Sequence, residues 1–415
     1  MPFLFPWIVT INKKAINDSM KNWLKTIFHL DHIIVAFLTI IIIELMVAIA
    51  INLDFLSPVV RSLKSFSMTD IYYKIQNNGE PTDVCSSITL VDMTELTYRK
   101  DIAQVIREIN EMKPSVLGID LIFESEKADP EGDKLLAEAC LQGNPSKTVL
   151  AYKLINYDED RHTYQKDLHA YFSAGDGIKE GFVNLVDNPE KCVRRYANVL
   201  PYQDTLAYSF PFQISQMVTE KAGSDEAMHT INYKSVVFPV IKYNELQNYR
   251  EYITDHIVLL GTTEEERDKF YTPIGQKSGM EILAYTILSM TECPPVKHAG
   301  LWVIFLWSLI AGYLTNLIDY FLTKRVQGHQ STMMVFVTQS ELYDKFISFL
   351  VMVLITWLSF ELYVKYSYFV DTVLPLATIV MIEEGRLLYV GLLSVLKKKK
   401  KKFLVRKSIY AKEIE

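Results

Sequence analysis

The distribution of apolar residues along the chain is the strongest constraint on its fold. One long apolar segment lies near the start, three lie near the end, and a polar stretch separates them. A helix of about 20 apolar residues is long enough to cross the hydrocarbon core of a bilayer. We therefore predict transmembrane helices at 33–53, 299–322, 346–364 and 368–390, and one large polar domain at 54–298.

The basic residues beside these spans predict their orientation. Lysine and arginine are concentrated in the segments 1–32, 323–345 and 391–415, which includes a lysine run at 397–402. Segments of this kind usually stay on the cytoplasmic side of a membrane. We expect a multi-pass protein of the cell (inner) membrane, with both termini cytoplasmic and the large domain extracytoplasmic. The lysine run would also attract anionic membrane lipids.

The charge of the chain is segregated in the same way. The net charge is −6, and acidic residues predominate in the 54–298 domain whereas basic residues flank the spans. Binding to nucleic acid requires a positive protein surface. We therefore expect no nucleic-acid partner for the acidic domain.

The pattern inside the large domain predicts an α/β fold. Short apolar runs at 88–92, 116–123 and 148–153 are typical of buried strands, and amphipathic stretches at 98–113 and 130–141 are typical of helices. Continuous apolar strands that alternate with helices favour a mainly parallel sheet covered by helices. Further along the chain the pattern predicts a hairpin at 181–199, a helix at 208–218, a buried strand at 256–261 and a helix at 278–291.

Five polar residues are candidates for ligand binding. In open α/β sheets ligands bind beyond the carboxyl ends of the strands, and several acidic residues follow predicted strands. The candidates are Asp92, Asp120, Asp268, Thr272 and Glu281, which would hold a cation or a polar ligand. The alternative is a structural role, in which Asp92 and Asp120 cap the next loop or helix and Glu281 binds backbone donors at a helix start.

Ionisable residues within the predicted spans form a second candidate set. Glu44 lies near the middle of the first span, where a charge costs about 2.5–3.5 kcal/mol. We expect it to face Asn316, Arg386 or a second copy of the chain. Glu383 and Arg386 are spaced to pair on one helix. These residues would form a polar contact between spans that changes on ligand binding. The alternative is that the acid is protonated or extends its side chain to the membrane interface.

No catalytic or cofactor motif is present in the sequence. The chain lacks Gly-x-Ser-x-Gly, His-Glu-x-x-His, a Walker loop and Cys-x-x-Cys. We therefore expect no enzymatic activity, no cofactor and no metal site. The pairing of Cys85, Cys140, Cys192 and Cys293 stays open, because an oxidising compartment would permit disulfides and four free buried thiols are the alternative.

Several segments, taken in order, resemble the second subtype of CHASE extracellular sensory domains. The resemblance rests on residues 88–92, 114–123, 181–184, 193–195, 257–261, 268–273 and 279–282, followed by three spans. Domains of this family accompany cyclases and histidine kinases. The position after Ile282 is Leu283, where the family commonly carries a histidine, so any role of that histidine is absent here.

The resemblance implies a sensor that binds an unknown extracytoplasmic ligand. Because the sequence ends soon after the last predicted span, we expect no effector domain and a separate cytoplasmic or membrane signalling partner. Association of copies of the chain stays open. An envelope scaffold or assembly protein that binds another protein is the alternative function, and a transporter component is a third.

Overall fold

The computed structural model describes most of the chain. The described residues are 24–51, 70, 72–73, 83–142, 147–172, 178–186, 192–219, 228–233, 235–265, 268–293, 295–327, 341–398, 405 and 407–411. The predicted segments 1–32, 323–345 and 391–415 lie partly outside these residues. The chain divides into two compact units, one formed by residues 1–63 and 297–415 and the other by residues 64–296.

The first unit contains the apolar helices. They are α1 (Leu30–Ile51), α6 (Leu301–Gln327), α7 (Glu341–Tyr366), α8 (Val373–Val380) and α9 (Ile382–Lys398). Among the described residues, three helical segments are long and apolar enough to cross a membrane: Leu24–Ile49, Leu301–Leu322 and Lys345–Tyr366. The first three predicted spans therefore coincide with helices of spanning length.

The fourth predicted span, at 368–390, is not one continuous helix in the structure. Residues 368–369 form a short strand paired with residues 297–298, and the rest divides into α8 and α9 at Met381. The break precedes Glu383, Glu384 and Arg386, so the polar residues begin a new helix.

Small residues allow the apolar helices to pack closely. A Cβ atom on Gly312 of α6 would contact Ala36 of α1 and Thr378 of α8, and one on Gly385 of α9 would overlap Thr39 of α1. Close approach at small residues is a common source of packing between helices in a bilayer. The α1 helix is thus in contact with both α6 and α9.

The second unit is an α/β domain built on a mostly parallel sheet. Its main strands are β2 (Ile88–Asp92), β3 (Val116–Ile119), β4 (Thr148–Asp158), β5 (Thr163–Leu168), β6 (Lys179–Phe182), β8 (Val199–Tyr202), β9 (Thr205–Tyr208), β12 (Val240–Lys242) and β13 (Ile257–Gly261). The strand order is β12-β2-β13-β3-β4-β5-β8-β9, and β6 pairs with β4. Strands β12, β2, β13, β3, β4 and β6 run parallel, whereas β4–β5 and β8–β9 are antiparallel.

Short strands complete this unit around the sheet. They are β1 (Asp83–Val84), β7 (Arg195–Ala197), β10 (Met228–Thr230), β11 (Val236–Val237), β14 (Lys269–Thr272) and β15 (Gly275–Ser278). The expected hairpin at 181–199 does not form, because β6 pairs with β4 and β7 pairs with β10. The buried Phe182 explains this choice, since a place beside β4 removes its ring from water.

Helices cover both faces of the sheet, as the sequence predicts. On one face α2 (Arg99–Glu111) and α3 (Pro130–Gln142) pack together over a core that includes Ile106, Leu117 and Leu260. On the other face α4 (Phe210–Val218) packs against α5 (Gly279–Thr291). Since β2, β3 and β13 are buried along their whole length, their side chains supply both layers of the core.

Candidate ligand-binding cleft

A cleft of about 520 Å³ opens at the carboxyl ends of β3, β13 and β6. Its polar side chains come from six residues: Asp120, Lys153, Asn184, Thr262, Glu265 and Asp268. Ile122, Val183, Leu185, Phe270 and Leu283 contribute apolar surface. The chain leaves the neighbouring strands β3 and β13 toward opposite faces of the sheet, since β3 leads to α3 and β13 leads to α5. A crevice at such a point is the usual ligand position in open α/β sheets.

Asp120 occupies the position directly after β3. Its backbone N–H donates to the carbonyl of Leu260 at 2.8 Å, so the residue is fixed against β13. Gly261 ends that strand, and a Cβ there would come within 3.3 Å of the Cβ of Asp120. Burial, assisted by the negative charge of Asp268, raises the pKa of Asp120 from 3.8 to about 7. This carboxyl group therefore changes charge near neutral pH.

Asp268 reaches the cleft from the loop after β13. Its Oδ2 accepts the backbone N–H of Gly279 at 3.1 Å, at the amino-terminal end of α5. A Cβ at Gly279 would lie 2.7 Å from that carboxylate oxygen, so a larger residue there would displace the Asp268 side chain. Burial raises the pKa of Asp268, and the Glu265 charge adds to this, while the Gly279 hydrogen bond and the Lys153 charge oppose it.

The cleft contains two further charged residues that the sequence analysis missed. Lys153 is exposed on β4, and Glu265 is exposed in the loop that leads to Asp268. Lys153 is the single charged residue within the apolar run 148–153, and this was the signal available in the sequence. With three acids and one lysine, the ionised cleft favours a ligand that carries positive charge.

Asn184 was also missed and shapes the cleft rather than offering a free amide. Its Oδ1 accepts from the N–H of Leu154 and its Nδ2 donates to the carbonyl of Leu154, both at 2.8 Å. The side chain therefore joins the segment after β6 to the edge of β4.

The other three predicted ligand residues have structural partners. Asp92 is buried, is not among the residues that line the cleft, and accepts from Thr94 Oγ1 at 2.7 Å and from the N–H of Thr263 at 2.8 Å. Thr272 donates to the carbonyl of Gly275 at 2.6 Å inside the β14–β15 turn. The hydrogen bonds of Asp92 thus favour a structural role for this residue over ligand binding.

Glu281 forms a capping box with Ser278 at the start of α5. Its Oε2 accepts the N–H of Ser278 at 3.0 Å, and Ser278 Oγ accepts the N–H of Glu281 at 3.2 Å. Lys277 lies 2.9 Å from the other carboxylate oxygen. Glu281 therefore fixes the helix end on which Asp268 rests.

The predicted polar residues of the spans fall into two groups. Arg386 is ion-paired with Asp319 and lies 3.6 Å from Glu383, as the spacing of Glu383 and Arg386 predicted. Glu44 is exposed, and Asn316 is hydrogen-bonded to His32 and Tyr410 instead. Phe37 packs on Phe305, so Glu44, two turns further along α1, lies level with the start of α6 rather than its middle.

All four cysteines lie in the described part of the chain, and no disulfide joins any two of them. Cys85 and Cys140 are buried. Within the residues that the structure describes, no group of three or more histidine, cysteine or acidic side chains is arranged to hold a metal ion.

Comparison with known proteins gives one match. The family model described as the CHASE2 domain matches residues 39–315, about two thirds of the chain. No curated protein and no solved structure matches significantly. CHASE2 domains are extracellular sensory domains, and the apolar helices agree with a membrane protein. From the matched length and the α/β domain at its centre, the chain belongs to the CHASE2 family.

Proposed function

We propose that the chain is a membrane-anchored sensor whose extracytoplasmic domain binds a small polar ligand in the Asp120–Asp268 cleft. The cleft is the single observation that carries this proposal, since it combines a ligand position at the sheet edge with charged residues. A positively charged group on the ligand would be attracted by the excess of acids. The affinity of the cleft for such a ligand would rise as the pH increases through about 7, because Asp120 then loses its proton.

Binding is tested on the full chain in lipid nanodiscs. Thermal unfolding is followed by far-UV circular dichroism against a library of small polar solutes at pH 6 and pH 8. We expect at least one cationic solute to raise the unfolding temperature of the wild type more at pH 8 than at pH 6. Asp268→Asn should abolish the shift, and Glu111→Gln, an exposed carboxylate at the end of α2, is the matched control.

The proposal fails if no solute stabilises the wild type, or if the Asp268→Asn chain responds as strongly. In that case the alternative, an envelope scaffold, gains support. Crosslinking in cells separates the two functions, because a scaffold would be trapped with an extracytoplasmic protein.

The proposed signal passes through the spans to a separate cytoplasmic or membrane partner. This requires both termini in the cytoplasm and residues 64–296 outside. A thiol engineered at Glu111 in a cysteine-free chain should react with a membrane-impermeant reagent on intact cells. Reaction only after the cells are opened would contradict this topology.

A further inference from the structure

A buried carboxylate near the start of α1 holds the end of the chain. Asp31 is 4% exposed. Its Oδ2 accepts from Ser408 Oγ at 2.6 Å and from the N–H of Ile409 at 2.7 Å, and its Oδ1 accepts from Tyr389 of α9 at 2.8 Å. Hydrogen bonds to a carboxylate are among the stronger ones in proteins, so Asp31 is a firm point of attachment for residues 408–409.

Tyr410 is the second anchor of this segment. Its side chain is 2% exposed, and its hydroxyl donates to Asn316 Oδ1 of α6 at 3.0 Å. The ring meets the edges of Tyr320 and Tyr389, with centroids 6.1 and 6.2 Å apart. The other end of the Asn316 amide donates to His32 Nδ1 of α1 at 2.9 Å. One amide therefore links Tyr410 to both helices.

We propose that Asp31, Asn316, Tyr320 and Tyr389 form a peptide-docking port, and that residues 407–411 are its releasable occupant. The port is assembled from α1, α6 and α9. In the sequence, α1 leads into residues 64–296 and α6 leads out of them. The segment is held by the side chains of Ser408 and Tyr410, by the N–H of Ile409 and by the Lys407 carbonyl, which lies 3.0 Å from His29 Nε2. The helices around it are packed along their lengths.

The geometry makes occupancy sensitive to the register of α1 against α6. Protein hydrogen bonds have donor–acceptor distances of about 2.5–3.2 Å and weaken steeply when the donor angle falls below about 120°. A shift of one helix along the other would break the His32–Asn316–Tyr410 chain and separate Tyr410 from the Asp31 anchor. The tethered segment has a high effective concentration, so it fills the port when the register is intact. Docking of the segment does not depend on the proposed sensor function. Ligand binding would only cause the helix shift that releases the segment.

Docking is tested with a chain truncated after Lys402 and a fluorescent peptide of residues 403–415. In nanodiscs the truncated chain should bind the peptide saturably, and the intact chain should bind it at least about tenfold more weakly because its port is filled. Asp31→Asn in the chain, or Tyr410→Phe in the peptide, should weaken binding by roughly tenfold. Glu384→Gln removes an exposed carboxylate of α9 outside the port and should leave binding unchanged.

Equal binding of a scrambled peptide, or of the peptide to empty nanodiscs, would mean attraction to the lipid surface and would overturn the proposal. Absence of binding to a truncated chain with wild-type thermal unfolding would also overturn it. If truncation prevents folding, hydrogen exchange in the intact chain decides. The amide of Ile409 should exchange faster in Asp31→Asn than in the wild type, and an unchanged rate rejects the port.

The coupling to helix register has its own test. Phe37→Cys combined with Phe305→Cys in a cysteine-free chain, treated with a short bifunctional maleimide, should link α1 to α6, because the two rings pack together with centroids 6.3 Å apart. Amide hydrogen exchange in residues 403–415 should be slower in the crosslinked protein than in the unlinked protein. Equal exchange in the two forms would reject the coupling while leaving the port itself intact.

Discussion

Asp120 and Asp268 face one cleft, and the negative charge of Asp268 adds to burial in raising the pKa of Asp120 to about 7. The two residues follow different strands, β3 and β13, which are neighbours in the sheet. The Asp268 carboxylate rests on the amino-terminal end of α5. Burial raises the pKa of both carboxyl groups, and at Asp268 the hydrogen bond from Gly279 opposes this rise.

The first prediction concerns the pH dependence of stability. The pKa of Asp120 is higher in the folded chain, about 7, than its ordinary value of 3.8, so the folded state binds the extra proton between these values. Stability should therefore fall as the pH rises from 4 to 7, by up to about 4 kcal/mol. Asp120→Asn should flatten this slope in urea unfolding followed by circular dichroism. A slope equal to that of the wild type would contradict the assignment, and Glu111→Gln is the control.

The second prediction concerns His169, which lies between two carboxylates. Its Nε2 is 3.0 Å from Asp167, its Nδ1 is 2.8 Å from Glu180, and its ring stacks on Tyr152 with centroids 4.3 Å apart. The hydrogen bond with Glu180 is the largest cause that raises the pKa of His169 above 6.5, and Asp167 adds to it against burial.

Because the pKa is raised on folding, the stabilisation by His169 is complete below pH 6.5 and is lost as the pH rises through the folded pKa. His169→Gln should lower the urea midpoint at pH 6 more than at pH 9. The exposed His162, which lies outside this cluster, gives the matched His162→Gln control. An equal loss at both pH values would show that the charge of His169 is not involved.

The third prediction concerns the capping box of α5. Ser278→Ala removes the hydroxyl that accepts the N–H of Glu281, so the free energy of unfolding should fall by about 1 kcal/mol. Since this helix end also holds Asp268, the variant should weaken ligand binding as well. Thr254→Ala, at an exposed position in the same unit but outside the cap, serves as the control. A stability equal to that of the wild type would contradict the capping role.

The fourth prediction concerns Gly181 of β6. A Cβ at this position would overlap the backbone of Ser209 and Phe210, which begin α4, and a backbone cannot give way as a flexible side chain can. Gly181→Ala should therefore lower the unfolding temperature of the chain clearly. Gly391→Ala, at a helix position with open space around it, should not lower it. Similar behaviour of the two variants would show that the close approach is not required.

The fifth prediction concerns the Arg386–Asp319 ion pair of the spans. Arg386→Leu leaves the Asp319 carboxylate without its partner, so the single variant should be less stable than the double variant with Asp319→Leu. Thermal unfolding in nanodiscs can be followed by tryptophan fluorescence, because all five tryptophans lie outside residues 54–298. A double variant less stable than the single one would show that the pair is not coupled in this way.

The sequence alone determined the elements that depend on local pattern. The strand at 88–92 is found with the predicted bounds, and the strand predicted at 256–261 begins one residue later, since a short apolar run between turn residues has few other solutions. The helix at 279–291 is also close to its prediction, and Pro130 begins a helix as expected from its fixed backbone angle. The three apolar helices follow from length and hydropathy, which need no tertiary contact.

Tertiary structure decided which residues share a site. In the sequence Asp92 and Asp120 lie at the ends of similar apolar strands. In the structure β13 lies between β2 and β3, and Asp92 is bound to a loop while Asp120 faces the cleft. Strand order is set by long-range packing and leaves no local signal. The same reason applies to Asp31 and Ser408, since a hydrogen bond between the two ends of a chain depends only on how its helices assemble.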